Sequence, residues 1–142
     1  QLARFALFAR RPEVARAVVN GFMKPRVDRQ VDASGALPGE LTRTRSFHYS
    51  LFALDAAFLV ADSAACLNTG LYDQASPKGR SLRKAFDYVA VYRDRAADWP
   101  YKEKNWPAAY LDEMLLRADQ AWGAGAYPRQ VSGDLLLRYR VR

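Results

Sequence analysis

Residues 41–55 of the chain, LTRTRSFHYSLFALD, place two arginines, a histidine and a tyrosine at the start of its most apolar segment. The pattern that follows predicts a helix that starts near Thr44 or Ser46 and ends near Asn68, with Gly70 as the stop. Apolar residues lie nearly all round this helix, so we expect it to be buried on more than one side. They are Phe47, Leu51, Leu54, Phe58 and Ala61 on one side and Phe52, Leu59 and Val60 on the others.

The segments on either side of this central helix also have helical periodicity. Two shorter helices are expected before it, the second running to about Val31 with a kink or break at Pro25. Two are expected after it, at residues 81–94 and 107–122, and residues 134–142 favour a final short helix over a strand. The predicted inward faces are Leu2, Phe5, Phe8 and Ala9; Val14, Ala17, Val18 and Phe22; Leu82, Phe86, Val89 and Ala90; and Tyr110, Leu111, Met114, Leu115 and Ala118.

Glycine, proline and small polar residues mark the connections between these helices. The segments DASGALPG at residues 32–39 and 71–79 are predicted loops, and WPYKEKNWP at residues 99–107 interrupts the helical periodicity. Short connections make consecutive helices antiparallel neighbours, so the expected fold is all-α and built of helical hairpins. Alternate loops of such hairpins lie at the same end. Residues 32–39, the start of the central helix and residues 99–107 are therefore expected on one rim.

Charge and composition restrict the class of protein. The 142 residues carry 22 Lys and Arg against 15 Asp and Glu, a net charge of +7, which attracts a polyanion such as an acidic polysaccharide, a nucleic acid or an anionic membrane surface. Asp55 and Asp62 interrupt the apolar helix and argue against a membrane span. The single cysteine, Cys66, cannot form an internal disulfide, and we expect it to be a buried structural thiol.

Arg43, Arg45, His48 and Tyr49 form the first candidate site. Arg45 and Tyr49 are four residues apart and would share a helix face, and Arg43 lies a turn earlier. Guanidinium groups favour the phenolate form of a nearby tyrosine and also bind carboxylates, so this set could neutralise an acidic sugar and remove a proton from it. The alternative is structural: Tyr49 bonded within the core, both arginines at a solvated helix entrance, and His48 a satisfied histidine.

The second candidate site is the aromatic and basic segment at residues 99–107. Trp99, Tyr101 and Trp106 lie beside lysines such as Lys102, and these aromatic rings could stack on sugars while the lysines bind carboxylates. The same composition suits single-stranded nucleic acid. A plain hydrophobic patch between helices explains the aromatic residues equally well.

Three segments resemble the alginate lyase family of polysaccharide lyases. GALPGELTRTRSFHYSLFAL at residues 35–54 carries the paired motifs LPxEL and RxxSFxYSLFxL, and GRSLRKAFDYVAVY at 79–92 and WPY at 99–101 support the resemblance. The resemblance implies an (α/α) toroid of helical hairpins, of which this chain would form an incomplete, C-terminal part. It also implies cleavage of β-1,4-linked uronate polymers by β-elimination, in a protein that is periplasmic or secreted.

The resemblance assigns roles to individual residues. Tyr49 matches the family's catalytic base and acid, and Arg43 is the best match for the arginine that binds the uronate carboxylate, with Arg45 as a rival. The family's Asn-Asn-His motif, which shares in neutralising the carboxylate, is absent, because the chain has no Asn before Asn20 and its single His is His48. We therefore expect that this chain alone holds only part of an active site.

The sequence thus predicts one domain over residues 1–142, part of a lyase that acts on an alginate-like uronate polymer. The alternative is a non-catalytic helical module that binds acidic polysaccharide. Because the chain begins in mid-helix, we expect a longer parent protein. The expected partner is an acidic polysaccharide, and we expect no nucleic-acid partner, membrane insertion or cofactor. We also expect no metal, because one His and one Cys cannot supply a metal-ligand set. The predicted catalytic residues are Tyr49 and Arg43, and the predicted substrate-binding residues are Arg45, His48, Trp99, Tyr101 and Lys102.

Overall fold

A computed structural model of the chain describes residues 1–123, 125–127 and 133–139. The described part contains helices and no β-strand, which confirms the all-α prediction. The longest helix, α4, packs against five others, α1, α2, α3, α5 and α6, and is therefore the centre of the fold. The helices are α1 (Leu2–Phe8), α2 (Pro12–Asn20), α3 (Pro38–Leu41), α4 (Ser46–Ala65), α5 (Leu82–Ala90), α6 (Ala108–Trp122) and α7 (Gly133–Tyr139).

Helix α4 begins as predicted and ends before the predicted glycine. Asn68 takes a left-handed conformation with φ 56°, and the Thr69 N–H bonds to the Ala64 carbonyl at 2.9 Å. Asparagine tolerates this conformation, so Asn68 rather than Gly70 ends the helix. Phe52 is exposed, but the rest of the predicted apolar surface is buried or half-buried, which confirms burial on several sides. The fully buried part is Phe47, Leu51, Leu54, Phe58 and Ala61.

The predicted inward face of α1 is wrong. Leu2, Phe5 and Phe8 are 60%, 68% and 91% exposed, whereas Ala3 and Ala6 are buried against α2 and α4. Small alanines allow two helices to approach closely, and this close packing determines which side of α1 turns inward. The predicted inward face of the second helix is right except for Ala17, which is exposed. Val14, Val18 and Phe22 are half-buried, and the residues buried most deeply are Ala15 and Val19.

The second helix is broken as predicted, but it ends at Asn20, before Pro25, and does not run to about Val31. Pro25 lies in a separate π-helical turn, Met23–Asp28, because proline has no N–H to continue the α-helical bonding. Val27 and Val31 anchor this segment in the core.

The loop predicted at residues 32–39 spans residues 32–37 and leads into the short helix α3. The Asp32 carboxylate accepts hydrogen bonds from the Ser34 hydroxyl at 2.6 Å and from the Ala36 N–H at 3.0 Å, and these bonds, the Ser34 hydroxyl first, lower the pKa of Asp32. Gly35 has φ 100°, and a β-carbon there would lie 2.4 Å from the carbonyl oxygen of Lys84. Glycine therefore allows this loop to touch α5.

The three C-terminal helices lie where the sequence predicts them, but α5 and α6 are shorter than their predicted segments. Ser81 caps α5 by accepting the Lys84 N–H, and the helix ends at Ala90 because residues 91–94 form turns. The predicted inward faces of α5 and α6 are buried or half-buried. The helix favoured at the C-terminus is confirmed as α7, while the predicted residues 140–142 lie outside the described part.

Two further predictions concern the exposure of Cys66 and the presence of a membrane-spanning helix. Cys66 directly follows α4 and is exposed, so the prediction of a buried thiol is wrong. None of the helices that the structure describes combines the length and hydrophobicity needed to cross a membrane.

A cluster of ion-paired and hydrogen-bonded side chains, which we call the Arg117 network, joins α4 to α6. Arg117 of α6 is buried and bonds to both Asp55 and Asp62 of α4, the latter at 3.1 Å. The hydroxyl of Tyr110 donates to Asp55 at 2.9 Å, and the hydroxyl of Tyr72 donates to Asp62 at 2.7 Å. The carboxylates that interrupt the apolar sequence of α4 therefore bind α6 to it.

Candidate functional site

The tryptophan loop, residues 99–107, packs on the N-terminal end of α4. The Ser46 N–H donates to the carbonyl of Lys102 at 3.0 Å, and the indole N–H of Trp99 donates to the Ser46 hydroxyl at 2.8 Å. The ring of Trp106 stacks on Phe47 with centroids 4.0 Å apart. The loop thus closes over the first turn of α4.

The rim predicted from the helical hairpins is confirmed. The ring centroid of Tyr88 on α5 lies 6.1 Å from that of Trp99 in the tryptophan loop, and burial first, followed by the neighbouring Tyr101, raises the pKa of Tyr88. Gly35 lies directly against Tyr88. The loop at residues 32–37, the start of α4 and the tryptophan loop therefore meet at one end of the molecule.

Arg43 and Tyr49 form the closest contact between two predicted site residues. The guanidinium carbon of Arg43 lies 3.4 Å from the centroid of the Tyr49 ring, a stacked cation–π contact. The Arg43 Nη1 also donates to Glu40 of α3 at 3.3 Å. The Tyr49 hydroxyl makes no hydrogen bond to any residue that the structure describes. A phenol and a guanidinium with spare hydrogen-bonding capacity thus lie together, and we call this pair the Arg43–Tyr49 stack.

Arg45, the rival of Arg43, points elsewhere. It occupies the N-cap position of α4, and its Nε lies 3.7 Å from the Oε1 of Glu103 in the tryptophan loop. That Nε is buried and has no hydrogen-bond partner. The structure therefore brings Arg43, and not Arg45, onto the tyrosine ring.

His48 lies between the Arg43–Tyr49 stack and the Arg117 network. Its ring centroid is 5.6 Å from that of Tyr49 and 5.8 Å from that of Tyr110. The backbone N–H of His48 donates to Glu103 at 2.9 Å, while its Nδ1 is buried without a hydrogen-bond partner. His48 is therefore not the fully satisfied structural histidine of the alternative interpretation.

The aromatic residues of the tryptophan loop divide into two groups. Trp99 is only 7% exposed, and its ring contacts Phe47 and Tyr92, so it cannot stack on a sugar as the sequence predicted. Its role is structural, as the hydrophobic-patch alternative proposed. Tyr101 is 40% exposed and Lys102 is exposed, so both remain accessible to a ligand.

Sequence reasoning missed the role of Glu103. Its partners lie at the start of α4, with His48 55 residues earlier in the chain, and nothing in the sequence around Glu103 indicates them. Glu103 sits in a KEK triplet that resembles a solvated charged turn, yet its side chain is 6% exposed.

A groove of about 550 Å³ lies beside the site. Apolar side chains such as Leu2, Phe22 and Phe52 line most of it, together with Glu40 and Arg43. In the described part of the chain, no three or more His, Cys, Asp and Glu side chains come together in a group that could hold a metal ion.

Comparisons with known proteins connect this geometry to a family. A family model described as "Alginate lyase" matches residues 1–99, which include Arg43 and Tyr49. The crystal structure of an alginate lyase from Bacteroides ovatus superposes with a TM-score of 0.80 at 27% identity, covering 84% of this chain and 33% of that one. This chain thus spans about a third of the length of that solved structure. No curated protein matches the chain.

Proposed function

Because the chain belongs to the alginate lyase family, we propose that it forms part of a polysaccharide lyase that cleaves a β-1,4-linked, alginate-like uronic acid polymer by β-elimination. The family match and the superposition on an alginate lyase support a lyase in general terms. The acidic polysaccharide as partner and a periplasmic or secreted location belong to the same proposal.

The Arg43–Tyr49 stack is the observation that carries the proposal. A lyase of this kind needs a base for the C5 proton and a cation for the neighbouring carboxylate. Arg43 has a planar group suited to a carboxylate, and it lies 3.4 Å from the Tyr49 ring centroid. Both residues lie in the segment RxxSFxYSLFxL, which resembles the family's motif and in which Arg43 is the best match for the carboxylate-binding arginine.

The proposed reaction assigns one step to each residue. Arg43 pairs with the uronate carboxylate and stabilises the negative charge that develops when C5 loses its proton. Tyr49 removes that proton, the C5–H electron pair forms the C4–C5 double bond, and the C4–O bond breaks. The departing sugar oxygen takes this proton from the Tyr49 hydroxyl, which restores the base, and the other product carries a 4,5-unsaturated uronate end.

Four further residues are proposed to bind the polymer around this centre. Arg45, His48, Tyr101 and Lys102 lie on the same rim, and Tyr101 and Lys102 are open to solvent. The net charge of +7 favours approach of a uronate polymer. The sequence has no Asn-Asn-His motif, so this proposal assigns carboxylate neutralisation to Arg43 together with any groups that the intact protein adds.

The test is the appearance of the unsaturated uronate chromophore when the intact protein is mixed with alginate, polymannuronate or polyglucuronate. We expect turnover of at least one polymer, and replacing Tyr49 by Phe should lower it by about 10²- to 10⁴-fold with the fold intact. Lack of product from all three polymers would disprove the lyase function. Substantial turnover by a folded Tyr49→Phe variant would remove Tyr49 from the role of base.

The second candidate is a non-catalytic module that binds acidic polysaccharide. The exposed Lys102 and Tyr101 and the positive net charge favour it. It predicts salt-dependent binding of the uronate polymer without formation of the chromophore, and an unchanged affinity in Tyr49→Phe. The same two measurements therefore separate the candidates.

A further inference from the structure

The side chain of Glu103 in the tryptophan loop is buried, and both of its oxygens accept backbone N–H groups. Its side chain is 6% exposed although its neighbours Lys102 and Lys104 are both exposed. The Oε2 accepts the N–H of His48 at 2.9 Å, and the Oε1 accepts the N–H groups of Lys104 at 3.0 Å and Asn105 at 3.3 Å. Burying a carboxylate removes it from water at a cost in free energy, so the position of Glu103 needs an explanation.

The first turn of α4 supplies half of that explanation. Arg45 occupies the N-cap position and provides no side-chain cap, so the helix lacks the local acceptor that usually satisfies its first N–H groups. Glu103, 55 residues away, accepts one of them, and the Lys102 carbonyl accepts the Ser46 N–H. The negative charge of Glu103 also complements the positive end of the helix dipole.

The same carboxylate faces the proposed substrate-binding arginine. The Nε of Arg45 lies 3.7 Å from the Glu103 Oε1 and has no other partner for its N–H. The carbonyl of Arg45 accepts the Tyr49 N–H at 2.9 Å, so Arg45 and Tyr49 belong to one rigid turn. A single carboxylate therefore fixes the turn that carries Arg45, His48 and Tyr49.

We propose that Glu103 is a positioning residue of the lyase site, which holds the first turn of α4 and the Arg45 guanidinium in the orientation that the substrate needs. This inference rests on the proposed lyase function. Glu103 itself does not touch substrate, because its side chain is only 6% exposed and both of its oxygens face backbone N–H groups.

The first experiment replaces Glu103 by Gln in the intact protein, with Glu13→Gln as the matched control on an exposed site away from the rim. Gln has the same shape, but it removes the charge that faces Arg45 and turns an NH2 group toward backbone N–H groups. We expect turnover per folded molecule to fall by about 10- to 100-fold, measured well below the melting temperature. Glu103→Asp, which keeps the charge, should recover part of the loss, and the control should match wild type.

A double-mutant cycle distinguishes positioning from a general loss of stability. If Glu103 acts through Arg45, the double variant Glu103→Gln with Arg45→Ala should lose about as much turnover as the more impaired single variant. If Glu103 only supports the fold, the two losses should multiply, and an equal loss of turnover in Glu103→Asp and Glu103→Gln would point the same way. Either result would overturn the positioning role.

The two proposals fail in different ways. A wild-type protein that forms no unsaturated product overturns the lyase function and the positioning role with it. An active wild type alongside an equally active, folded Glu103→Gln variant overturns the positioning role alone.

Discussion

Two clusters of arginine, tyrosine and carboxylate contact α4, and they differ in how completely their polar groups are paired. In the Arg117 network, each oxygen of Asp55 and Asp62 accepts a bond from Arg117 or from a tyrosine hydroxyl. In the Arg43–Tyr49 stack, the tyrosine hydroxyl has no partner within the described residues, and Arg43 has one carboxylate, Glu40.

This difference separates a structural cluster from a candidate site. A buried cation and its carboxylates stabilise the fold only when their hydrogen bonds are complete, and a complete set has nothing left to offer a ligand. The Arg43–Tyr49 stack has spare donors and an accessible face. The predictions below test this contrast by disturbing one cluster at a time.

The largest expected effect is on the Arg117 network. Arg117→Leu should lower the free energy of unfolding by about 2–3 kcal/mol, because it removes the hydrogen bonds to both Asp55 and Asp62, whose carboxylates are partly exposed. Arg4→Leu is the control, since Arg4 lies 3.7 Å from the same Asp62 but is largely exposed, and it should cost less than about 1 kcal/mol. Urea unfolding of both variants measures this, and equal costs would contradict the distinction between the clusters.

The next effect is on the Arg43–Tyr49 stack. Arg43→Lys keeps the charge but loses the planar group that stacks on the ring and pairs with a carboxylate, so turnover should fall by roughly tenfold. Its free energy of unfolding should stay within about 0.5 kcal/mol of wild type, because Arg43 is exposed. Arg95→Lys, in the exposed pair with Asp98, is the control and should change neither quantity.

A matched pair of tyrosine variants compares the clusters directly. Tyr110→Phe removes a hydroxyl bonded to Asp55 and should cost about 1 kcal/mol of stability. Tyr49→Phe removes a hydroxyl without a bonded partner in the described part of the chain and should cost less than about 0.5 kcal/mol. A larger loss of stability in Tyr49→Phe would show that its hydroxyl is structural after all.

The smallest effect concerns alkaline pH. Burial first, and then the bonds to Asp62 and Asp55, raise the pKa values of Tyr72 and Tyr110 above the ordinary value for tyrosine. Above about pH 10 the unfolded chain therefore loses these protons before the folded chain does, and stability should fall as pH rises. Thermal melts between pH 9 and 11 should show a shallower fall for Tyr110→Phe than for wild type. An identical slope would mean that this hydroxyl does not contribute.

Much of the fold followed from local patterns. Helix α4, the break in the second helix and the inward faces of α5 and α6 were predicted, because apolar periodicity and proline act within one segment. The exposed face of α1 was not, since Leu2, Phe5 and Phe8 form as good an apolar stripe as any other in the chain. The packing of Ala3 and Ala6 against neighbouring helices determines which face of α1 is buried.

The candidate site shows the same division. By itself the sequence placed Arg43, Arg45, His48 and Tyr49 together, because they lie within two helical turns, and it identified the family through their motif. Only the tertiary structure decided that Arg43 stacks on Tyr49, that Trp99 is buried and that Glu103 binds the start of α4. The burial of Trp99 and the contact of Glu103 depend on how a loop more than 50 residues further along the chain packs on the helix, and no local pattern encodes that packing.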